Sequence, residues 1–316
     1  MIDNVLKAIE PYMMMIGQIM SSFEPYVVMT GLSTSSVVVS SVSKTLALLA
    51  SFIIFSYVAQ TTTKFWSWVD RLWSITPVIY VLVIADASPT PRLWIMGVLA
   101  WLWGARLTAN FARKGGYGNE EDYRWEVCRS FCRMNDPFHP LAQEIFHVFF
   151  VCIYQHVLLW LIAAPAAAAA ALSSAPLGRD DFIATTCLLV ALIAETVTDE
   201  QQWAFQSAKY AMSPAQRTKA GGDFARGFLT TGVFSWSRHL NFFAEQSVWW
   251  SFAGFAYAAG TRGNMLAIVA LGPTLLSFLF QGSTRLTESL AAAKYPQYAE
   301  YQKTTSRLIP MPIAFA

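Results

Sequence analysis

Apolar stretches recur along the chain at roughly 44–60, 73–86, 93–111, 145–172, 182–199, 242–260 and 265–283. A membrane helix needs about 20 mostly apolar residues, fewer where flanking groups reach out to the headgroups. The pattern therefore predicts an all-α, multi-pass integral membrane protein with about seven transmembrane helices. The second stretch is short and contains Pro77, which makes it the weakest span. The alanine run from Ala164 to Ala171, broken only by Pro165, fits a helix end rather than a full lipid-facing turn.

The first 43 residues have a different pattern. Pro11 to Met20 is apolar but short, Glu24-Pro25 breaks the segment after it, and the Ser/Thr/Val run at 33–43 reads as a linker or extended stretch. A basic start, a short apolar core and a small-residue cleavage site do not occur in the order of a signal peptide. Residues 1–43 thus form an arm or interfacial segment, 44–310 the membrane domain and 311–316 a tail.

Charge gives the spans a direction. Basic residues cluster after the third span (Arg106, Arg113, Lys114, Arg124, Arg129, Arg133), after the fifth (Lys209, Arg217, Lys219, Arg226, Arg238), in the tail (Arg285, Lys294, Lys303, Arg307) and in the first loop (Lys64, Arg71). The opposite side keeps only Lys7, Lys44, Arg92, Arg179 and Arg262. Seven spans put every basic-rich segment on one side, as the positive-inside rule requires. The C-terminus is then cytosolic.

Composition agrees. The 316 residues are 55% apolar and only 13% charged, against about 25% charged in soluble domains. A net charge of +2 without a basic, aromatic-interleaved stripe argues against nucleic acid as a partner. Cys128 and Cys132 lie four apart with no second ligand pair at zinc spacing, so they read as free thiols despite His139 nearby.

Ionisable groups inside or at the edge of apolar segments are the functional candidates. Arg238, His239, Asn241 and Glu245 stand at the mouth of the sixth span, with Asn241 and Glu245 on one helical face. Glu195, Asp199, Gln202, Gln206 and Lys209 form a polar stripe at the end of the fifth. A solvated helix end accounts for Gln206 and Lys209 but not for Glu195 and Asp199. The loop Gly115-Gly-Tyr-Gly to Trp125 contains Arg124, suited to clamping an anion, and reads either as a lid over a nucleotide or as an ordinary interfacial loop. Thr284 and Glu288 share a face, and the tyrosines from Lys294 to Tyr301 suit an adenine wall or a headgroup anchor.

Six motifs in order carry a resemblance: Asp70-Arg-Leu-Trp-Ser, Trp103-Gly-Ala-Arg-Leu-Thr, Glu121-Asp-Tyr-Arg-Trp, Thr198-Asp-Glu-Gln-Gln, Ser237-Arg-His-Leu-Asn-Phe-Phe-Ala-Glu and Lys294-Tyr-Pro-Gln-Tyr-Ala-Glu-Tyr. Over residues 44–310 the chain resembles the steroid 5-alpha-reductase-like superfamily, in its branch known as a domain of unknown function. The resemblance implies seven membrane helices and a cytosolic-side NADPH site, and by analogy the endoplasmic reticulum as the membrane. Asp199 falls where reductases hold the cofactor, Asn241 and Glu245 match their Asn-Phe-x-Gly-Glu, and Arg106 matches an arginine late in the third span. Gln202 and Glu288 join this cofactor set, and Arg124 and Arg238 suit its phosphates chemically. Leu240 and Ala244 replace a proline and a glycine of the pattern, and the histidine-rich segment before the final Tyr-Pro is missing. Ile75 and Trp103 occupy the positions of the glutamate and tyrosine that polarise a steroid ketone in the reductases, and neither can protonate an enone. Asp70, Tyr80, Tyr123 and His239 remain candidates for the donor or proton source.

The expected function is NADPH-dependent reduction of a C=C bond in a lipid or sterol-like substrate entering from the bilayer. Two alternatives stand beside it: a lipid or prenylcysteine methyltransferase using S-adenosylmethionine, and a non-catalytic lipid-binding protein of the same fold.

Overall fold

A computed structural model describes residues 36–119, 121–133, 139–172 and 174–311. Every element among them is helical. Five helical stretches are long and apolar enough to cross a membrane: Ser36–Thr63, Trp68–Ala87, Pro140–Ala171, Arg179–Ala211 and Gly263–Lys294. The chain is a multi-pass membrane protein on this ground. Helices also form over Pro91–Arg113 and Leu240–Ala258, where the other two spans are expected. These are more polar: the first carries Arg92, Arg106 and Arg113, the second Asn241, Glu245 and Gln246.

The chain divides into two units, Met1–Asp181 with Ala253–Gly272 and Phe182–Phe252 with Pro273–Ala316. The first unit opens with α1 (Ser36–Thr63). Its first residues belong to the Ser/Thr/Val run expected to be extended, and the structure corrects that expectation. In hydrocarbon a backbone must satisfy its own N–H and C=O groups, and only a helix does so within one segment. The hydroxyls are absorbed the same way: Ser41 donates to Val38 O and Thr45 to Val42 O, each at 2.8 Å. Residues 1–35 of the expected arm and 312–316 of the expected tail lie outside the described residues.

Next come α2 (Trp68–Trp73), α3 (Thr76–Ala87) and α4 (Pro91–Arg113). Pro77 sits in the first turn of α3, where its missing N–H has no partner to lose. The short second span therefore survives its proline. α3 packs against α1 and α4, and Tyr80, Val81, Ile84, Leu93, Met96 and Trp103 are buried. Gly104 permits the α3–α4 approach: a Cβ there would lie 2.5 Å from Val78 Cγ2 and 2.7 Å from Ser74 O.

After α5 (Tyr123–Arg133) and α6 (His139–Ile145), the chain widens into a π-helical stretch, Phe146–Tyr154, before α7 (Gln155–Ala163) and α8 (Pro165–Ala171). Ala166, Ala168, Ala169 and Ala170 are buried, with Ala168 packed among Ala253, Ala256 and Val269. At the opposite end of α4 from its arginine-rich C-terminus, Arg92 makes a buried fork with Asp181, Nε–Oδ1 2.6 Å and Nη2–Oδ2 2.9 Å.

The second unit takes most of α9 (Arg179–Ala211), then α10 (Pro214–Ala220), α11 (Gly222–Arg226), a 3-10 turn (Gly232–Ser235), parts of α12 (Leu240–Ala258) and α13 (Gly263–Lys294), and α14 (Tyr298–Thr304). Its aromatic nucleus is Phe228, Tyr298 and Tyr301, with Tyr295 packed against it.

Candidate functional site

The site grows from the short segments between α9 and α12. Asp223, in the first turn of α11, accepts from the Thr230 and Thr231 backbone N–H groups at 3.1 and 3.2 Å and from their hydroxyls at 2.6 and 2.8 Å. Arg226 Nη2 adds a contact of 3.0 Å. Burial alone would raise this carboxyl's pKa, but the hydroxyl, amide and guanidinium donors hold it below the usual range. Gly227 (φ +88) and Gly232 (φ +64) end the loop on either side in the left-handed region. Gly227 ends α11, and Gly232 leaves room for Gln201, whose Oε1 accepts from Val233 N at 3.1 Å.

Lys209, at the end of α9, is buried rather than solvated, which corrects the sequence reading. Its ammonium donates to Gly227 O (2.8 Å) and Tyr295 Oη (3.1 Å), among the rings of Phe205, Tyr210 and Tyr295. A buried ammonium needs such partners, and aromatic faces supply part of them. Burial would raise the Tyr295 phenol's pKa, yet the hydrogen bond from Lys209 and the charges of Lys209 and Lys294 bring it below its ordinary value.

Arg238 and Glu288 form the second half of the framework. Their fork measures 2.7 Å (Nε–Oε1) and 3.1 Å (Nη2–Oε2). Arg238 Nη1 also donates to Gln302 O at 2.8 Å and to Thr305 O, carbonyls at the end of α14. Glu288 further accepts from Gln302 Nε2 (2.9 Å), and His239 Nε2 lies 3.0 Å from Oε1. The main chain is clasped too: Arg238 N donates to Ser306 O and His239 N to Arg307 O. Ser237 Oγ donates to Leu308 O at 2.8 Å.

Between these two frameworks lies an open cleft of about 490 Å³, lined by Arg226, Phe228, Thr230, Ser235, Gln297, Glu300, Tyr301, Thr304 and Thr305. Its size falls in the usual range for small-molecule sites, about 300–1,000 Å³. Tyr301 keeps its phenol on Phe234 O at 2.5 Å, and burial pushes that phenol's pKa well above its ordinary value. The cleft thus combines aromatic surface, aliphatic hydroxyls and the partly exposed Arg226 guanidinium.

The structure brings the sequence candidates Arg238, His239 and Glu288 together. Asp199 is buried and Gln202 half-buried on α9, while Asn241 is half-buried in the first turn of α12. Glu245 is buried and accepts from Trp249 Nε1 at 3.0 Å. None of these four lines the cleft. In the first unit, Asp70 accepts from Trp125 Nε1 at 2.7 Å and lies 4.0 Å from Arg124. Arg124 also forks onto Asp122 at 2.8 and 3.0 Å, holding that carboxyl's pKa low against the burial that would raise it. Tyr123 is exposed at the start of α5, and Arg106 is on α4. The Gly115 loop returns onto Arg71, whose Nη2 donates to Gly118 O at 2.6 Å. Sequence reasoning missed Arg226, Phe228 and Thr230. Their only sequence signal was the paired glycines 227 and 232 around adjacent threonines, downstream of Asp223.

The comparisons with known proteins agree with the resemblance at family level. A family described as "Protein of unknown function (DUF1295)" matches residues 56–305. The chain belongs to this family, which is steroid 5-alpha-reductase-like in general. An uncharacterized protein of Schizosaccharomyces pombe is 38% identical over 278 residues, spanning 83% of this chain and 78% of that protein. No solved structure matches.

Proposed function

We propose that the protein is a membrane-embedded oxidoreductase that uses NADPH to reduce a C=C bond of a lipid or sterol-like substrate, with seven spans and its nucleotide cleft on the cytosolic side. The observation that carries this reading is the cleft beside Arg226. Its lining suits a nucleotide: the aromatic rings of Phe228 and Tyr301 for a base, Arg226 for phosphate charge, and the hydroxyl oxygens of Thr230, Ser235 and Thr304 to accept from ribose, their protons being given to Asp223, Gly232 O and Glu300 O. The order of the sequence motifs supports it from outside the cleft.

NADPH, when bound, supplies a hydride. The chain's own residues do the holding. Arg226 would pair with phosphate while Asp223 fixes its position. Arg238 and Glu288 hold α14, and so Tyr301, in place, which makes them shaping residues rather than phosphate ligands: their hydrogen-bonding groups are already spent on each other and on the α14 carbonyls. Asp199, Asn241 and Glu245 do not line this cleft, and their place in the reading rests on the sequence motifs alone. His239, whose Nε2 lies 3.0 Å from Glu288 Oε1, is this unit's candidate for the proton source in the reductase reading.

Retention of the purified protein on immobilised NADPH tests the reading. Retention on immobilised S-adenosylmethionine instead would replace it with the methyltransferase reading. Binding to neither would leave a non-catalytic lipid-binding protein of the same fold.

A further inference from the structure

A second cleft, of about 420 Å³, lies wholly in the first unit and plays no part in the reductase reading. Gln60, Lys64, Trp66, Arg129, Glu144 and His147 are among the residues that line it. It opens where the apolar α1 ends, and one wall is the π-helical stretch, a winding that is rare and concentrated at functional sites.

His147 is held there with unusual care. It is buried, and its ring lies parallel to Trp66 at 5.1 Å and beside Tyr57 at 5.7 Å. Gln60 donates through Nε2 to Ser56 Oγ at 2.8 Å, which turns its Oε1 toward His147 Nε2 at 2.6 Å. That oxygen can only accept, so a proton sits on Nε2, and in the neutral form of the ring Nδ1 is the acceptor. Nδ1 lies 3.7 Å from Glu144 Oε2, and Tyr57 Oη donates to Glu144 Oε1 at 3.2 Å. An oriented imidazole and a half-exposed carboxylate tied to Tyr57 therefore share one corner of the cleft.

Both signs of charge line the cleft. Lys64 and Arg129 stand against Glu126 and Glu144. Arg129 already pairs with Glu121 and Glu126, which leaves Lys64 as the cation available to a ligand. Lys64 has φ +65 and is alone among the described non-glycine residues in having a positive φ. It comes directly after the last turn of α1, where glycine is the ordinary residue. A lysine kept in that conformation bears a strain that a glycine would not.

We propose that this cleft binds a zwitterionic group in which a primary ammonium and a phosphate lie a few bonds apart. The ammonium donates to Glu144 and to His147 Nδ1, and Lys64 pairs with the phosphate. A purely anionic ligand would face the carboxylates, and a purely cationic one would face Lys64 and Arg129. The same chemistry occurs in a free phosphoethanolamine and in a phospholipid headgroup.

The test uses the full chain purified in detergent, with free phosphoethanolamine and, separately, phosphatidylethanolamine in mixed micelles, against phosphatidylglycerol as the amine-free control. Binding is read by calorimetry for the native chain, Lys64→Gly and Glu144→Gln. Each variant is expected to weaken binding about tenfold, the scale of one lost charged contact, and Lys64→Gly to raise the ligand-free melting temperature by relieving the strain. A merely structural Lys64 would give the second effect without the first, which overturns the proposal. Binding of the lipid alone assigns the group to a bilayer lipid, and binding of both assigns it to the headgroup itself. Either outcome supports the proposal. Equal binding of phosphatidylglycerol, or no binding of either amine ligand, overturns it whatever the outcome with NADPH.

Discussion

Arg238 and Glu288, fifty residues apart in sequence, meet as a flat two-pronged pair with N–O distances of 2.7 and 3.1 Å. Both side chains are 8% exposed, so water screens the pair little. The arginine's remaining donors reach the carbonyls ending α14, so the pair fixes one wall of the candidate nucleotide cleft.

Breaking that pair should therefore unfold the second unit more readily. Arg238→Met leaves Glu288 buried with neutral donors and His239, and uncovers the α14 carbonyls. A loss of about 3–5 kcal/mol is expected for a buried pair deprived of one partner. Glu288→Gln keeps an acceptor and should cost less, about 1–3 kcal/mol. Denaturant unfolding in detergent, monitored by near-ultraviolet dichroism, would separate the two. Equal and negligible losses would mean that the pair does not organise this region.

Asp223 gives a pH dependence of definite sign. Its carboxyl is held below the usual range in the folded chain. Its contribution is therefore complete above the unfolded carboxylate pKa, about 3.9, and is lost as pH falls through the lower folded value. The melting temperatures of the native chain and Asp223→Asn should differ by a constant amount from about pH 6 to 8 and converge in acid below about pH 4. Curves that converged on raising the pH would contradict this sign.

Tyr295 should ionise early because of Lys209. Ultraviolet titration of the native chain is expected to show a tyrosine ionising below the rest, a component missing in Tyr295→Phe. In Lys209→Met that component should move up, because only Lys294 is then left to oppose the effect of burial on the phenol. An unchanged early component in the lysine variant would remove Lys209 as its cause.

Gly104→Ala tests the helix packing of the first unit. The added methyl would meet Val78 Cγ2 and the Ser74 carbonyl at 2.5 and 2.7 Å. The side chain can turn away but the carbonyl cannot, so α3 and α4 must separate, at a cost of about 1–3 kcal/mol. A melting temperature equal to that of the native chain would mean that the two helices can part freely.

The helices were legible in the sequence because apolar run length is a direct consequence of bilayer thickness. Five of the seven expected spans meet that bound in full; those at α4 and α12 are helices whose polar residues dilute the signal. The Ser/Thr/Val run misled because β-branched and hydroxylated residues read as extended in water, whereas hydroxyls that bond back to their own helix, as Ser41 and Thr45 do, suit hydrocarbon. Arg238, His239 and Glu288 were legible as a polar group but not as a pair, since nothing in the chain couples positions fifty apart. Lys209 looked solvated because its partners, Gly227 O and Tyr295 Oη, come from loops with no helical period. Arg226 and Phe228 were invisible for the same reason: a loop cleft is set by backbone turns at Gly227 and Gly232, and no side-chain pattern announces it.

The proposed function stands on NADPH binding in the cleft beside Arg226. Titrating NADPH into the detergent-purified chain, with its nicotinamide fluorescence as the signal, tests it most directly when Arg226→Ala is measured alongside. Saturable binding is expected in the native chain and about tenfold weaker binding in the variant, the scale of one phosphate contact, with the melting temperature of the ligand-free protein nearly unchanged. No saturable binding in the native chain, or equal affinity in the two proteins, would contradict it.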